Sequence, residues 1–385
     1  MEQLQRWQTN SATTSLSERF TLPVLDNKNG IALSRVAPSA LPSIADFMHS
    51  KRVVCGGYFA FNSLEEAQTF LDQGEEARLN AIALAAINYT VDNQAFVNPL
   101  LPQVSESRIR STMLAMENET PNRWYNGSPG RTAVLSIATR WRNIVAARSD
   151  VTVTTPAPCP SCGMQPNVIL TIRGSTLPEE YVILGAHADT TIGSSTTAST
   201  RAPGSDDDAS GVASLTEALR VAVANGYRPQ RTVQIMAYAA EEVGLRGSRS
   251  IAQNYRSINR NVVGVLNLDL TNFRNPSATR DVYVITDNTN VALTAFLREL
   301  FTVYLASSGL RIGDTACGYA CSDHASWTQA GFPAAAYLEG SFQQTNQRIH
   351  SSRDTLATAG GTASHSVKFS RLALAFMAEV AKGTR

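Results

Sequence analysis

Between residues 167 and 340 a series of short runs rich in Val, Ile, Ala and Tyr recurs: NVILTIRG, YVILGAH, TVQIMAYA, VVGVLNLDL, DVYVITD and AAAYLEG. Each is too short for a helix and too continuously apolar for a strand with one wet face, so each reads as a strand covered on both sides. Segments with helical apolar spacing intervene or follow: GVASLTEALRVAVAN, VALTAFLRELFTVYLA and the C-terminal SHSVKFSRLALAFMAEVAKG. Buried strands alternating with helices predict a three-layer α/β/α sandwich around a mixed, mainly parallel central sheet. Upstream, SESRIRSTMLAMEN and TAVLSIATRWRNIVAA also read as helices, set apart by the turn NGSPG.

The first 80 residues differ. VVCGGYFAFNS (53–63) reads as strand and turn, and LEEAQTFLDQGEEARL as helix. Residues 1–80 are expected to form a small α+β N-terminal unit of propeptide type, and 81–385 the main body. The body is long enough for a large core. Apolar residues make up 43% of the chain and charged residues 17%, the balance of a globular protein rather than a disordered one. A formal net charge of +1, with no basic stripe, argues against nucleic acid as a partner. No apolar run is long enough to span a bilayer, so no membrane partner is expected either. The opening MEQLQRWQTNSATTS has no basic stretch leading into an apolar one, hence no signal peptide. Cysteines in CPSC (Cys159, Cys162) and CGYACSD (Cys317, Cys321) are spaced for tight local disulfides, with Cys55 left over. Disulfides imply an oxidising compartment, so the expectation is a secreted protein whose signal is not part of this sequence.

The chemistry lies where strands or helices meet loops. His187 ends YVILGAHAD, Asp207 sits in GSDDDASG ahead of a helix, Glu242 follows TVQIMAY in AAEEVG, Asp269 ends LNLDL, and His350 lies in QRIHSS. In open α/β sheets ligands bind beyond the carboxyl ends of the strands. Taken singly, each residue has an ordinary explanation: a hydrogen-bonded histidine, a helix cap, a pair of surface glutamates. Three adjacent carboxylates repel one another, however, and one helix needs only one cap. Two imidazoles and three carboxylates can hold two zinc ions with one carboxylate shared. Glu241, beside Glu242, is then left to act as a base. His324, in CSDHASW, is read as structural.

HADTTIGS, APGSDDDASGVA, MAYAAEEVGLRGS, LDLTN, CGYACSDHASW and RIHSSRDTL resemble, in order, the motif series of the secreted di-zinc leucyl aminopeptidases. These belong to the zinc-peptidase family that includes the transferrin-receptor-like proteins. The resemblance runs from about residue 100 to the C-terminus. It implies that His187, Asp207 and Asp269 hold one Zn2+ and that Asp207, Glu242 and His350 hold the other, with Glu241 as general acid/base. Asp189 would orient His187, Asp208 would support His350, and Ser322 would support Asp269. Cys317 and Cys321 would form the family disulfide. The pocket for the substrate's first side chain would comprise Leu270, Ile285, Tyr319, Ala336, Leu338, Phe342 and Ile349 together with those cysteines. Its apolar character implies Leu, Met, Phe or Tyr at the N-terminus of peptide or protein substrates, unless Glu339 points inward and selects Lys or Arg. The faint likeness of residues 1–80 to propeptides implies a zymogen, and the enzyme is expected to be a monomer. The alternatives are a related carboxypeptidase, a glutaminyl-cyclase-like enzyme, or a non-catalytic receptor-like domain of the same fold.

Overall fold

A computed structural model describes residues 88–384 without a break, and before them 23–28, 31–37, 40, 41, 43–45, 58–61 and 63–72. Cys55, His49 and most of the anticipated N-terminal unit lie outside the described residues. Of its expected helix, 64–72 is helical. A hairpin of β1 (Val24–Lys28) and β2 (Ile31–Ser34) precedes it.

The main sheet has eight strands: β3 (Val151–Thr154), β4 (Val168–Ile172), β5 (Leu177–His187), β6 (Arg231–Tyr238), β7 (Asn261–Leu268), β8 (Val282–Ile285), β9 (Ile312–Thr315) and β10 (Ala334–Leu338). Their spatial order is β3-β4-β6-β5-β7-β10-β8-β9. The central four, β6, β5, β7 and β10, are parallel, while β4 and β8 run antiparallel to their inner neighbours. All the apolar runs read from the sequence are strands. The edge strands β3 and β9 were not anticipated: VTVT and IGDT lack a continuous apolar run, because an edge strand keeps part of its surface wet.

Alternation along the central strands feeds two separate cores. Val182, Leu184 and Ala186 point to one face, where they pack with α1 (Glu106–Asn118), α2 (Ser128–Ile144), α3 (Ala209–Ala224), α5 (Val291–Tyr304) and α7 (Ser366–Ala381). Ile183, Met236, Tyr238 and Val265 point to the other, against Ile251 and Tyr255 of α4 (Arg246–Ser257) and Trp327 of α6 (His324–Gln329). Helices therefore cover both faces, as the sequence predicts. No helix among the described residues is long and apolar enough to cross a membrane.

Because β5, β6 and β7 are parallel and adjacent, their C-terminal ends open on one side of the sheet. His187, the Glu241–Glu242 turn and Asp269 are the first residues to emerge there.

Candidate functional site

Asp207 is the centre of the cluster. Its Oδ1 lies 2.9 Å from His187 Nε2 and its Oδ2 2.8 Å from His350 Nε2. Asp269 Oδ1 stands 3.7 Å from the first imidazole, and Glu242 Oε2 stands 3.1 Å from the second. All five residues anticipated from the sequence thus come together across some 160 residues of chain. Donor atoms close enough to share an ion form two groups, His187–Asp208–Asp269 and Asp207–Glu242–His350. Asp208 is the weaker member of the first. Its Oδ2 accepts from His187 N (3.1 Å) and its Oδ1 from Gly211 N (2.9 Å), whereas Asp207 faces both imidazoles.

The expected support residues divide. Ser322 Oγ donates to Asp269 Oδ2 at 2.6 Å and accepts from Asn267 Nδ2 at 2.8 Å, as anticipated. Asp189 lies beside His187 Nδ1 (3.5 Å), but its carboxylate is turned chiefly to the amides of Glu241 (2.9 Å) and Glu242 (3.2 Å). Asp208 does not serve His350, as the sequence reading supposed. As the N-cap of α3 it turns back to its own first turn and to β5. Asp354, four residues beyond His350, instead ties the neighbouring loops together. It accepts from the amides of Asp206 (3.2 Å) and Asp207 (3.0 Å) and from Asn346 Nδ2 (3.1 Å), joining the two ligand loops.

Burial and mutual charge dominate the electrostatics. Burial pushes the Glu241 carboxyl well above the usual carboxylate range; His187 opposes this, and Glu242, Asp323 and Asp269 reinforce it. Burial likewise raises Glu242 to about 7, with His350 pulling down and Asp207 pushing up. Burial alone would lower His350, but Glu242 and Asp207 outweigh it and raise the imidazole to about 10. Burial opposes ionisation of Asp207 too, yet the flanking imidazoles hold it well below the usual range. So many buried carboxylates in one place demand a counter-charge. The donor set, imidazole nitrogen and carboxylate oxygen without thiolate, suits a borderline divalent cation such as zinc. The cluster therefore fits the metal that its residue types imply.

Beside Asp269 opens an apolar recess lined by Leu270, Ile285, Cys317, Tyr319, Cys321, Leu338, Phe342, Thr345 and Ile349. Ala336 belongs to the same apolar cluster, as does Tyr283, which the sequence reading missed along with Thr345. The Tyr319 and Phe342 rings meet edge to face at 5.8 Å. Cys317–Cys321 and Cys159–Cys162 are both disulfides. Glu339 faces away from the recess. Its oxygens accept from Phe273 N (2.6 Å) and Asn346 N (3.0 Å), and burial followed by Asp206 holds its carboxyl well above the usual range. His324, at the start of α6, is buried, and burial pushes it down to about 4, consistent with a structural role. His365 is buried beside Phe369 and Lys368.

The profile described as Peptidase family M28 matches residues 167–375, more than half of the chain and every ligand candidate. A probable leucine aminopeptidase of Trichophyton verrucosum is 33% identical over 324 residues, 81% of this chain and 84% of that one. The chain belongs to peptidase family M28. A probable aminopeptidase of Saccharomyces cerevisiae is 38% identical over 222 residues, and that match spans about half the length of the yeast protein, 55%. Among solved structures, the LapA aminopeptidase of Legionella pneumophila superposes with a TM-score of 0.79 at 27% identity, covering 96% of this chain and 97% of that one. This M28 member is a metallo-aminopeptidase, a hydrolase of peptide bonds. That sets aside the carboxypeptidase and receptor-like alternatives.

Proposed function

We propose that the chain is a secreted di-zinc aminopeptidase that removes apolar or aromatic residues (Leu, Met, Phe, Tyr) from peptide N-termini. The observation that carries this reading is the single carboxylate of Asp207 with one oxygen towards each imidazole. His187, Asp207 and Asp269 would hold one zinc, and Asp207, Glu242 and His350 would hold the other. When bound, the ions supply Lewis acidity, lowering the pKa of a water towards neutrality and polarising the scissile carbonyl. Glu241 takes the proton of the attacking water and returns it to the leaving amine; burial holds its carboxyl well above the usual carboxylate range, which makes it a stronger base than a free carboxylate. Ser322 and Asp189 hold Asp269 and the Glu241–Glu242 turn in place. The recess receives the first side chain next to Asp269. Its apolar walls, with Glu339 engaged elsewhere, favour Leu over Lys.

The disulfides support export to an oxidising compartment. A boundary near residue 80 is part of the same proposal, and the described chain beyond it is bonded to the body from Tyr89 on. Tyr89 Oη donates to Val263 O (2.7 Å), and the amides of Asp92 and Asn93 donate to the buried Glu379 (3.0 Å). Ahead of it, the Tyr58 ring lies against Gly244 of the Glu241–Glu242 turn, and the Phe61 ring lies 4.3 Å from the Arg249 guanidinium. The propeptide role belongs to the same proposal: Tyr58 and Phe61 lie beside the turn and α4, and residues 1–80 would be removed on activation. Limited proteolysis that trims them without raising activity would sink that part. The monomeric state is read by sedimentation velocity. The main reading is tested by zinc determination alongside a Leu-nitroanilide assay, with and without chelator. Chelator-resistant turnover, or none by zinc-loaded protein, would overturn it.

A further inference from the structure

Successive backbone amides leave the end of β6, and each is received by a side-chain oxygen. Ala239 N donates to Asn167 Oδ1 (2.8 Å), Ala240 N to Gln165 Oε1 (3.1 Å), Glu241 N to Asp189 Oδ1 (2.9 Å) and Glu242 N to Asp189 Oδ2 (3.2 Å). Asp189 reaches the turn from the loop after β5. Gln165 and Asn167 reach it from the segment entering β4. Since β4 runs antiparallel to β6 with Val168 opposite Ala237, residues just ahead of β4 must lie beside those just beyond β6.

Ala240 needs this support. Its φ of 54° is left-handed, a strained conformation for a residue with a β-carbon that persists only where the surroundings over-determine it. Gln165 is wholly buried, and its Nε2 donates to Arg123 O at 2.9 Å. The Arg123 guanidinium in turn donates to Ala188 O (2.9 Å), Pro203 O (2.7 Å) and Gly204 O (2.7 Å), the approaches to Asp189 and to Asp207. Behind Gln165, its amide donates to Cys162 O (3.1 Å) next to the Cys159–Cys162 disulfide. On the far side, a β-carbon at Gly247 would lie 2.3 Å from Ala239 O and 2.4 Å from Asn167 Oδ1, so α4 closes on the turn only because glycine stands there.

We propose that Gln165, with Asn167, is a positioning residue for catalysis: it sets the peptide planes that lead into Glu241 and so the place of the Glu241 carboxylate relative to the ligand cluster. This rests on the reading of Glu241 as general base. Displacing a catalytic group by about 1 Å costs up to about 100-fold in rate. A purely structural side chain would instead lower stability and leave the turnover of folded, metal-loaded molecules unchanged.

The test is a double-mutant cycle on the zinc-loaded full chain with Gln165→Met, Glu241→Ala and the double variant. It reads kcat and KM on Leu-nitroanilide, zinc bound per chain and the melting temperature. The expected result is a kcat about 10-fold lower for Gln165→Met, with KM within about twofold and zinc unchanged, and no further loss when the same change is made in Glu241→Ala. An equal loss in both backgrounds, or a loss explained by missing zinc, overturns the proposal. Wild-type turnover by Glu241→Ala overturns the general-base reading and the positioning role with it, so the two failures are distinguishable. Should Gln165→Met not fold, Asn167→Leu enters the same cycle under the same criteria.

Discussion

The ligand cluster and the apolar recess meet at Asp269, yet they are held by different forces. On the cluster side, hydrogen bonds to backbone amides set the direction of the carboxylates. Asp189 receives Glu241 and Glu242, Asp208 receives His187 and Gly211, and Asp354 receives Asp206 and Asp207. Left-handed backbone recurs there at Ala240 and His350, so the fold accepts local strain to aim these groups. On the recess side, Leu270, Ile285, Leu338 and Ile349 simply pack. Charges act through direction and distance, while apolar contact depends mainly on area and volume. Substitution in the cluster should therefore nearly abolish turnover, and substitution in the recess should grade the choice of substrate.

The sharpest way to break this contrast is Glu241→Ala. It should keep zinc and lose turnover by about 10²–10⁴-fold; a recess-like, tenfold effect in a kcat measurement would deny the cluster its special status. Metal removal comes next. Stripping the ions leaves the buried carboxylates without counter-charge, and calorimetry should record a fall in melting temperature of roughly 10 °C, as expected for a ligand whose Kd lies about 1,000-fold below its free concentration. An unchanged melting point would mean that the cluster stands without metal. Within the recess, Phe342→Ala should lower kcat/KM for Leu-nitroanilide by about 10-fold while bound zinc stays constant. The smallest effect is assigned to Glu339→Gln. The ratio of Lys to Leu cleavage should stay within about twofold, because this side chain is bonded to Phe273 and Asn346 rather than turned to the substrate. A marked swing in that ratio would extend directional control into the recess.

The parts of the molecule that could be read in advance share a property: the signal is carried by the residue itself. Val182–Ala186 is apolar on both faces and Val233–Ala237 nearly so, with Gln234 its one polar residue, a pattern that only a covered strand tolerates. His187, Asp207, Glu242, Asp269 and His350 carry metal-type side chains at strand and helix ends. Gln165, Asn167 and Arg123 carry no such mark. A buried amide or guanidinium is recognised by the carbonyls and amides it meets, and those come from the turn after β6 and from loops up to 84 residues away. Strands β3 and β9 escaped for the converse reason: at the sheet edge their half-polar sequences satisfy the fold without a distinctive pattern.

Residue type and spacing were enough to read a layered α/β body, the five candidate ligands and the neighbouring base, because burial periodicity and ligand chemistry are properties of side chains. The fold was needed to show that Asp208 turns to α3 and β5 and not to His350, that Asp189 grips the Glu241–Glu242 turn, and that Glu339 looks away from the recess. A buried carboxylate points at whichever donors the packed chain brings within reach, and that choice is made by strand order and register.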